Sequence, residues 1–298
     1  MNFISSDDLS EKQVLEVFSI ADKLQSGELK NPIKEHSVLA LLFSEPSTRT
    51  RVSFEVAMAQ LGGSAVYIAT QTSQMKRGET LEDTAKVISG YCDFIAVRTN
   101  EHKDVMTIAK SSTVPVINAL THLEHPTQAL ADVYTIIKHN KRIKGLKIAF
   151  VGDIAQNTAS SLMLTATKLG ASVSLVGPEG ITPNEFFYRK SKKYGKVELY
   201  NSIKEGVTGA DVIYTDTFVS MGDEAEADRR KKLFEPYQVN KAMLQFAKSD
   251  AIVMHPLPAH RGEEITSDVL DGKQSVVWDQ AKSKLYIEKA LLVYLSEN

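Results

Sequence analysis

The sequence predicts an α/β protein of two domains, each a parallel sheet flanked by helices. Three observations carry that expectation. Short apolar runs of strand length alternate with amphipathic stretches of helix length along most of the chain, as parallel strands buried beneath crossing helices require. The alternation comes in two sets, and 298 residues are enough for two cores of ordinary size. The polar segments that could carry chemistry fall just after apolar runs, at the carboxyl ends of the expected strands, where open parallel sheets build their crevices.

In the first half, 38–43, 66–68, 94–97 and 114–118 read as strands, and 52–61, 80–89 and 104–110 as helices between them. Residues 129–140 read as a helix crossing between the halves, with His139-Asn140-Lys141-Arg142 as a hinge. In the second half, 147–151, 172–176, 211–214 and 251–254 take the strand role, Val276-Val277-Trp278 is expected to add a fifth, and 287–295 is amphipathic and helical. The domains are accordingly drawn at 1–140 and 141–283, with a terminal helix at 284–298 packing back on the first. The second domain, opening with a βαβ unit, is expected to be Rossmann-like. Residues 221–232 stand apart as dense in charge, either a solvated loop or helix or a moving lid.

Lys and Arg number 35 against 37 Asp and Glu, a formal charge of -2, so the chain lacks the summed positive field of a nucleic-acid or membrane surface. Small molecules or copies of the same chain are the expected partners. The single cysteine, Cys92, sits in the apolar stretch Tyr91-Cys92-Asp93-Phe94-Ile95 and reads as a buried, inert thiol. The N-terminus shows no basic region followed by an apolar core, and no run approaches the roughly 20 apolar residues of a membrane span. A cytoplasmic location is expected.

The strongest chemical signal is Phe43-Ser44-Glu45-Pro46-Ser47-Thr48-Arg49-Thr50-Arg51, which runs off a strand into a helix. A helix N-terminus offers unpaired N–H groups and the positive end of the dipole, so hydroxyls and an arginine there suit an oxyanion such as phosphate. Arg49 and Arg51 point to different faces. Arg51 has Glu55 one turn on as partner and is assigned to structure, Arg49 to the ligand; a plain Ser/Thr cap with two surface arginines is the alternative. Arg98 ends another strand, and His125-Pro126-Thr127-Gln128 opens the crossing helix near the same edge.

In the second half, Val151-Gly152-Asp153-Ile154-Ala155-Gln156-Asn157 has only one of the three glycines a dinucleotide fingerprint needs, so Asn157 reads as a polar group presented at a helix start. Asp216, in Thr215-Asp216-Thr217-Phe218-Val219-Ser220-Met221-Gly222, follows the next strand, where a carboxylate suits an ammonium group and a turn aspartate is the alternative. His255-Pro256-Leu257-Pro258 is a fourth strand exit; its prolines stiffen Leu257, and Leu257-Pro258 is a candidate cis bond that would aim the leucine carbonyl inward.

Taken together and in order, Ser47-Thr48-Arg49-Thr50-Arg51, Arg98-Thr99, His125-Pro126-Thr127-Gln128, Asp216 with Ser220-Met221-Gly222, and His255-Pro256-Leu257-Pro258 resemble the aspartate/ornithine carbamoyltransferase family nearly end to end. The resemblance implies a carbamoyl-phosphate domain, an amine-substrate domain and a homotrimer with shared active sites, with or without further assembly. It implies that Ser47, Thr48, Arg49 and Thr50 hold the phosphate, that Arg98, His125 and Gln128 contact the carbamoyl group, and that Gln74 reaches the phosphate of a neighbouring subunit. Arg98, His125 and Thr50 would then stabilise the developing oxyanion.

The amine is decided in the second half. Ala259 stands where the aspartate enzymes of the family place an arginine, and Asp216 with Ser220-Met221-Gly222 resembles the ornithine branch. That branch implies Asp216 and Ser220 at the α-ammonium, Asn157 and the Met221 backbone at the α-carboxylate, and the Leu257 carbonyl at the reacting amino groups. Two positions depart from it: Pro256 stands where cysteine is usual, and Lys284 where the family has arginine. The implied reaction makes L-citrulline from carbamoyl phosphate and L-ornithine in arginine biosynthesis, with no metal and no cofactor. The alternatives are another amine (aspartate, putrescine or an N-acylornithine), a non-catalytic paralogue binding phosphate or amino acid, and, more distantly, a nicotinamide-dependent oxidoreductase.

Overall fold

The computed structural model describes residues 1–30, 32–140, 142–219 and 226–298. Contacts divide them into two compact units, Met1–Ala131 with Ser283–Asn298, and Asp132–Lys282.

The first unit runs α1 (Glu11–Ser26), β1 (Val38–Phe43), α2 (Thr48–Gln60), β2 (Ser64–Ala69), α3 (Leu81–Ser89), β3 (Phe94–Arg98), α4 (His102–Ser111), β4 (Val116–Leu120) and the start of α5 (Pro126–Asn140). Its four strands lie parallel in the order β2-β1-β3-β4. The central strands β1 and β3 are buried almost throughout, as strands covered on both faces must be. Local chemistry sets the helix ends. Ser10 and Gln13 form a reciprocal capping box at the start of α1, and Gly27, at φ 76, closes it. Cys92 is half-buried against the apolar cluster of this unit, and burial with the neighbouring Asp93 charge raises its thiol pKa.

Close packing makes one glycine indispensable. A Cβ on Gly63 would lie 2.5 Å from the Ser37 carbonyl oxygen. Gly63→Ala is expected to cost about 1–3 kcal/mol, because a backbone atom cannot yield as a side chain can. Thermal unfolding of the variant checks this, and an unchanged midpoint would contradict it.

The second unit runs β5 (Lys147–Val151), α6 (Asn157–Lys168), β6 (Ser172–Val176), α7 (Glu185–Ser191), β7 (Val197–Tyr200), α8 (Ile203–Val207), β8 (Val212–Thr215), α9 (Ala227–Phe234), α10 (Lys241–Leu244), β9 (Ile252–Met254), α11 (Ser267–Leu270) and the start of α12 (Val277–Glu297). The five strands are parallel in the order β7-β6-β5-β8-β9, with the first of them central, which is the Rossmann-like arrangement. α6 is buried on nearly every face from Thr158 to Lys168.

The structure corrects three expectations. Residues 276–278 form no strand: Ser275 makes a single bridge to Val253, and Val277 already begins α12. The fifth strand is β7 at the opposite edge, where Glu198 interrupts the apolar run and only Val197 is fully buried. Residues 287–295 are helical but not amphipathic, because every one of them is buried. The charged stretch 221–232 ends inside α9, where Arg230 bonds the Phe218 carbonyl at 2.9 Å and pairs with Asp153, while Phe234 stacks on Phe218 just beyond it. Among the described residues no helix is long and apolar enough to cross a membrane.

Candidate active site

Each sheet has one point where strand order reverses, between β1 and β3 in the first unit and between β5 and β8 in the second. Connections leave such a point in opposite directions and open a crevice at the strands' carboxyl ends. Ser47, Thr48, Arg49, Thr50 and Arg98 follow the strands at the first point, and Asn157 and Asp216 those at the second.

In the first unit Phe43 and Arg98 are register partners, and the Ser44 N–H donates to the Arg98 carbonyl at 2.9 Å, so the ends of β1 and β3 are held together. α2 starts directly afterwards. Ser47 caps it by accepting from the Thr50 N–H at 3.3 Å, and no acidic residue in the first turn neutralises its positive end. Thr48 and Arg49 are exposed. Arg51 bonds Glu55 at 2.8 Å and lies 3.9 Å from the centre of the Tyr67 ring.

Thr50 is 2 % exposed, and its hydroxyl oxygen accepts from the Lys284 ammonium at 2.9 Å. Lys284 also donates to the Gln128 Oε1 at 3.4 Å, so the lysine standing in the place of an arginine ties α12 to α2 and α5. Arg98 is 8 % exposed, and its pKa is pulled down to about 10 by burial and then by the Arg49 charge, with Glu45 opposing. His125 is buried among cations: desolvation first, then Lys284, Arg98 and Arg49, hold it well below its ordinary pKa. The imidazole is therefore neutral at pH 7, while Arg98 keeps its charge. Such a concentration of positive charge and hydroxyls at a helix start suits a compact polyanion. Gln74 lies apart from it, exposed in the 3₁₀ turn Gln74–Arg77.

In the second unit Val151 pairs with Thr215, placing the β5 and β8 exits side by side. Gly152 follows with φ 117, and a Cβ there would lie 3.2 Å from the Phe218 ring. Gln156 caps α6 by position and bonds the Thr217 carbonyl, and Asn157 is the first helical residue, half-buried. Asp216 accepts from the Thr158 hydroxyl at 2.7 Å and from the Thr217 N–H at 2.8 Å. Burial raises its pKa, with those two donors acting against burial and Glu264 acting with it. Ser220 and Met221 lie outside the described residues.

Leu257 has φ 57, and the bond to Pro258 is cis. Its N–H donates to His255 Nδ1 at 2.9 Å. A backbone N–H can only donate, so Nδ1 carries no proton, and the proton on Nε2 points to Glu264 Oε1 at 2.9 Å. Both side chains are fully buried. The Glu264 carboxylate also accepts from the His260 N–H at 2.6 Å. The His255 N–H in turn donates to Gln280 Oε1, whose Nε2 donates to Asp132, which accepts from the Tyr214 hydroxyl. Pro256 sits half-buried above this chain of bonds. Asp132, Tyr214, Glu264 and Gln280 were not foreseen from sequence; only the closeness of Glu264 to His255 along the chain offered a signal.

Among the described residues, His260, Glu263 and Glu264 have possible metal-ligating atoms within 4.8 Å of one another. Glu264 Oε1 is engaged as above and Glu263 accepts from Lys231 at 2.7 Å, while Glu264 Oε2 is buried without a hydrogen-bond partner.

The chain matches the carbamoyl-P binding domain of the aspartate/ornithine carbamoyltransferase model at residues 1–138, and the Asp/Orn binding domain at 144–295. It belongs to the aspartate/ornithine carbamoyltransferase family. Among members of that family, an anabolic ornithine carbamoyltransferase of Pyrococcus furiosus is 52% identical over 263 residues, covering 87% of this chain and 83% of that one. An ornithine carbamoyltransferase of Archaeoglobus fulgidus is 44% identical over 298 residues, covering 99% and 97%. A solved Pyrococcus furiosus ornithine carbamoyltransferase superposes with a TM-score of 0.94 at 46% identity, over 100% of this chain and 97% of that one. The anabolic enzyme of Campylobacter jejuni does so with 0.93 at 35% identity, over 99% of each.

Proposed function

We propose that this carbamoyltransferase uses L-ornithine, transferring the carbamoyl group of carbamoyl phosphate to the δ-amine and releasing phosphate and L-citrulline. One observation carries the choice of amine. A half-buried carboxylate, Asp216, stands at the β8 exit with Asn157 at the neighbouring helix start, while position 259, where the aspartate enzymes of the family place an arginine, is alanine. Relatives named ornithine carbamoyltransferase support it.

In this reading Ser47, Thr48, Arg49 and Thr50 hold the phosphate, with Lys284 adding charge and Gln74 arriving from a neighbouring subunit of a homotrimer. Arg98, His125 and Gln128 contact the carbamoyl group. Asp216 and Ser220 take the α-ammonium, Asn157 and the Met221 backbone the α-carboxylate, and the Leu257 carbonyl the reacting amine. The domain reading follows: residues 1–140 with 284–298 for carbamoyl phosphate, 141–283 for ornithine. A cytoplasmic enzyme of arginine biosynthesis fits these roles.

The chemistry sets what the residues must supply. An alkyl amine with a pKa near roughly 10.4 costs on the order of 4–5 kcal/mol to present neutral at pH 7. Excluding water from the amine lowers that cost, and the departing phosphate can take the proton. With Pro256 in place of a cysteine, no thiolate assists. Thr50 receives the Lys284 proton on its oxygen, so its own proton is available to the ligand. Neutral His125 is likewise a donor or an acceptor but not a competing cation. Each donor aimed at the developing oxyanion contributes about 3 kcal/mol, and holding both substrates together roughly 7–11 kcal/mol more.

A citrulline colour assay with carbamoyl phosphate and a panel of ornithine, aspartate, putrescine and acetylornithine tests the reading. Turnover is expected with ornithine, and preference for any other amine would reject it. Arg49→Ala is expected to weaken carbamoyl phosphate binding by roughly tenfold or more, the loss of a charge-assisted contact. Calorimetry giving near-normal affinity would remove Arg49 from the site.

A further inference from the structure

Glu288 is fully buried one helical turn after Lys284 on α12, and neither of its carboxyl oxygens has a hydrogen-bond partner. A buried polar group in that condition is costly and is retained where it does something. Its surroundings are those of the phosphate half-site. The Lys284 ammonium and the Ser53 hydroxyl on α2 favour its charged form, while burial outweighs both and raises its pKa to about 8. Ser53 can give little, since its one proton goes to the Thr50 carbonyl at 3.2 Å. An ionised Glu288 therefore has only Lys284 to lean on, whereas a neutral one carries a proton of its own to donate.

Lys284 cannot serve two anions equally. Its ammonium now lies between Thr50 and Gln128, at the start of the helix expected to take the phosphate. A carboxylate behind it draws it back and subtracts a charge. A neutral carboxyl leaves it forward. We propose that Glu288 is a positioning residue of this half-site, setting where the Lys284 ammonium stands and how much positive charge an incoming phosphate meets. The proposal rests on the reading of the half-site as a phosphate site, and not on the identity of the amine. The groups that act on the Glu288 charge are Lys284 on its own helix and the Ser53 hydroxyl on α2; Lys284 in turn acts on His125, as do Arg98 and Arg49.

The test titrates inorganic phosphate into the full-length protein by calorimetry, with no ornithine present, between about pH 7.5 and about pH 9. Inorganic phosphate completes its second ionisation at the lower edge of that window, which by itself strengthens binding as pH rises, so a fall in affinity does not come from the ligand; the window also lies below the Arg98 pKa of about 10. As Glu288 ionises through about 8, wild-type affinity is expected to fall roughly three- to tenfold. Glu288→Gln, which keeps the shape but cannot ionise, is expected to lose that step and to bind phosphate more tightly than wild type at the alkaline end. Glu288→Ala, which removes the carboxyl altogether, is expected to lose the alkaline step as well, and at about pH 7.5, where wild-type Glu288 is mostly neutral, to weaken phosphate several-fold and to raise KM for carbamoyl phosphate more than it lowers kcat. Circular dichroism confirms that each variant is folded. The same alkaline step in Glu288→Gln, or wild-type affinity throughout in Glu288→Ala, would overturn the proposal, as would failure of the wild type to bind phosphate. Phosphate binding as described without citrulline formation would reject ornithine as substrate and leave the role of Glu288 standing.

Discussion

Arg98→Ala is expected to lower kcat for citrulline formation by roughly 10²–10³-fold, the loss that follows removal of one preorganised oxyanion donor. Its position is the reason. Arg98 ends β3 opposite Phe43, is nearly buried, and keeps its charge at pH 7 because its pKa falls only to about 10. A donor already stripped of water and fixed by the sheet needs no reorganisation when charge develops on the carbamoyl oxygen. Arg98→Lys is expected to recover little, because a point charge does not reproduce the guanidinium fork. Steady-state assays with both substrates saturating make the comparison, with thermal unfolding as the folding control. A kcat within threefold of wild type would show that Arg98 is a structural cation and not part of the chemistry.

Asp216→Asn is expected to lower kcat/KM for ornithine by roughly 10²–10³-fold while leaving the affinity for carbamoyl phosphate within about twofold. Losing one member of a desolvated charge pair costs on the order of 2–5 kcal/mol, because the ammonium partner is left without a counter-charge. The asparagine still accepts from Thr158 or from the Thr217 N–H, so the loop is kept while the charge goes. The sign with pH is fixed as well. Burial raises the Asp216 pKa, so the acid limb of kcat/KM for ornithine lies above the ordinary aspartate range, and activity falls as the carboxylate is protonated. Equal weakening of both ligands in calorimetry would mean that Asp216 only shapes the β8 exit.

The strands were legible because each is a short apolar run between helices: β1, β5 and β6 stand where the pattern put them. The same rule misjudged the fifth strand, since Val276-Val277-Trp278 is as apolar as a strand yet opens a helix, and Val197–Tyr200 is an edge strand with too little burial to show. The candidate site residues fall at strand exits for a related reason, since parallel sheets open their crevices there. The family resemblance read from those motifs is borne out by the family match. What supports the exits was not legible. Asp132 meets Gln280, and Thr50 meets Lys284, across 148 and 234 residues of sequence, distances over which no local spacing carries a signal. In sequence His255 marks only a strand exit; that its ring holds the Leu257 N–H on one side and Glu264 on the other depends on three-dimensional placement.

The first unit is built from both ends of the chain, Met1–Ala131 and Ser283–Asn298. Its closing helix brings Lys284 to Thr50, Lys289 to Gln60 and Tyr294 to Gln13. A chain emerging from the ribosome therefore presents the whole second unit before the first can finish its core. Domains generally mature in the order they are made; here the N-terminal one must wait, with its apolar surface uncovered, for a segment made after the whole second unit. Early termination would then fall hardest on the unit whose main segment was synthesised first.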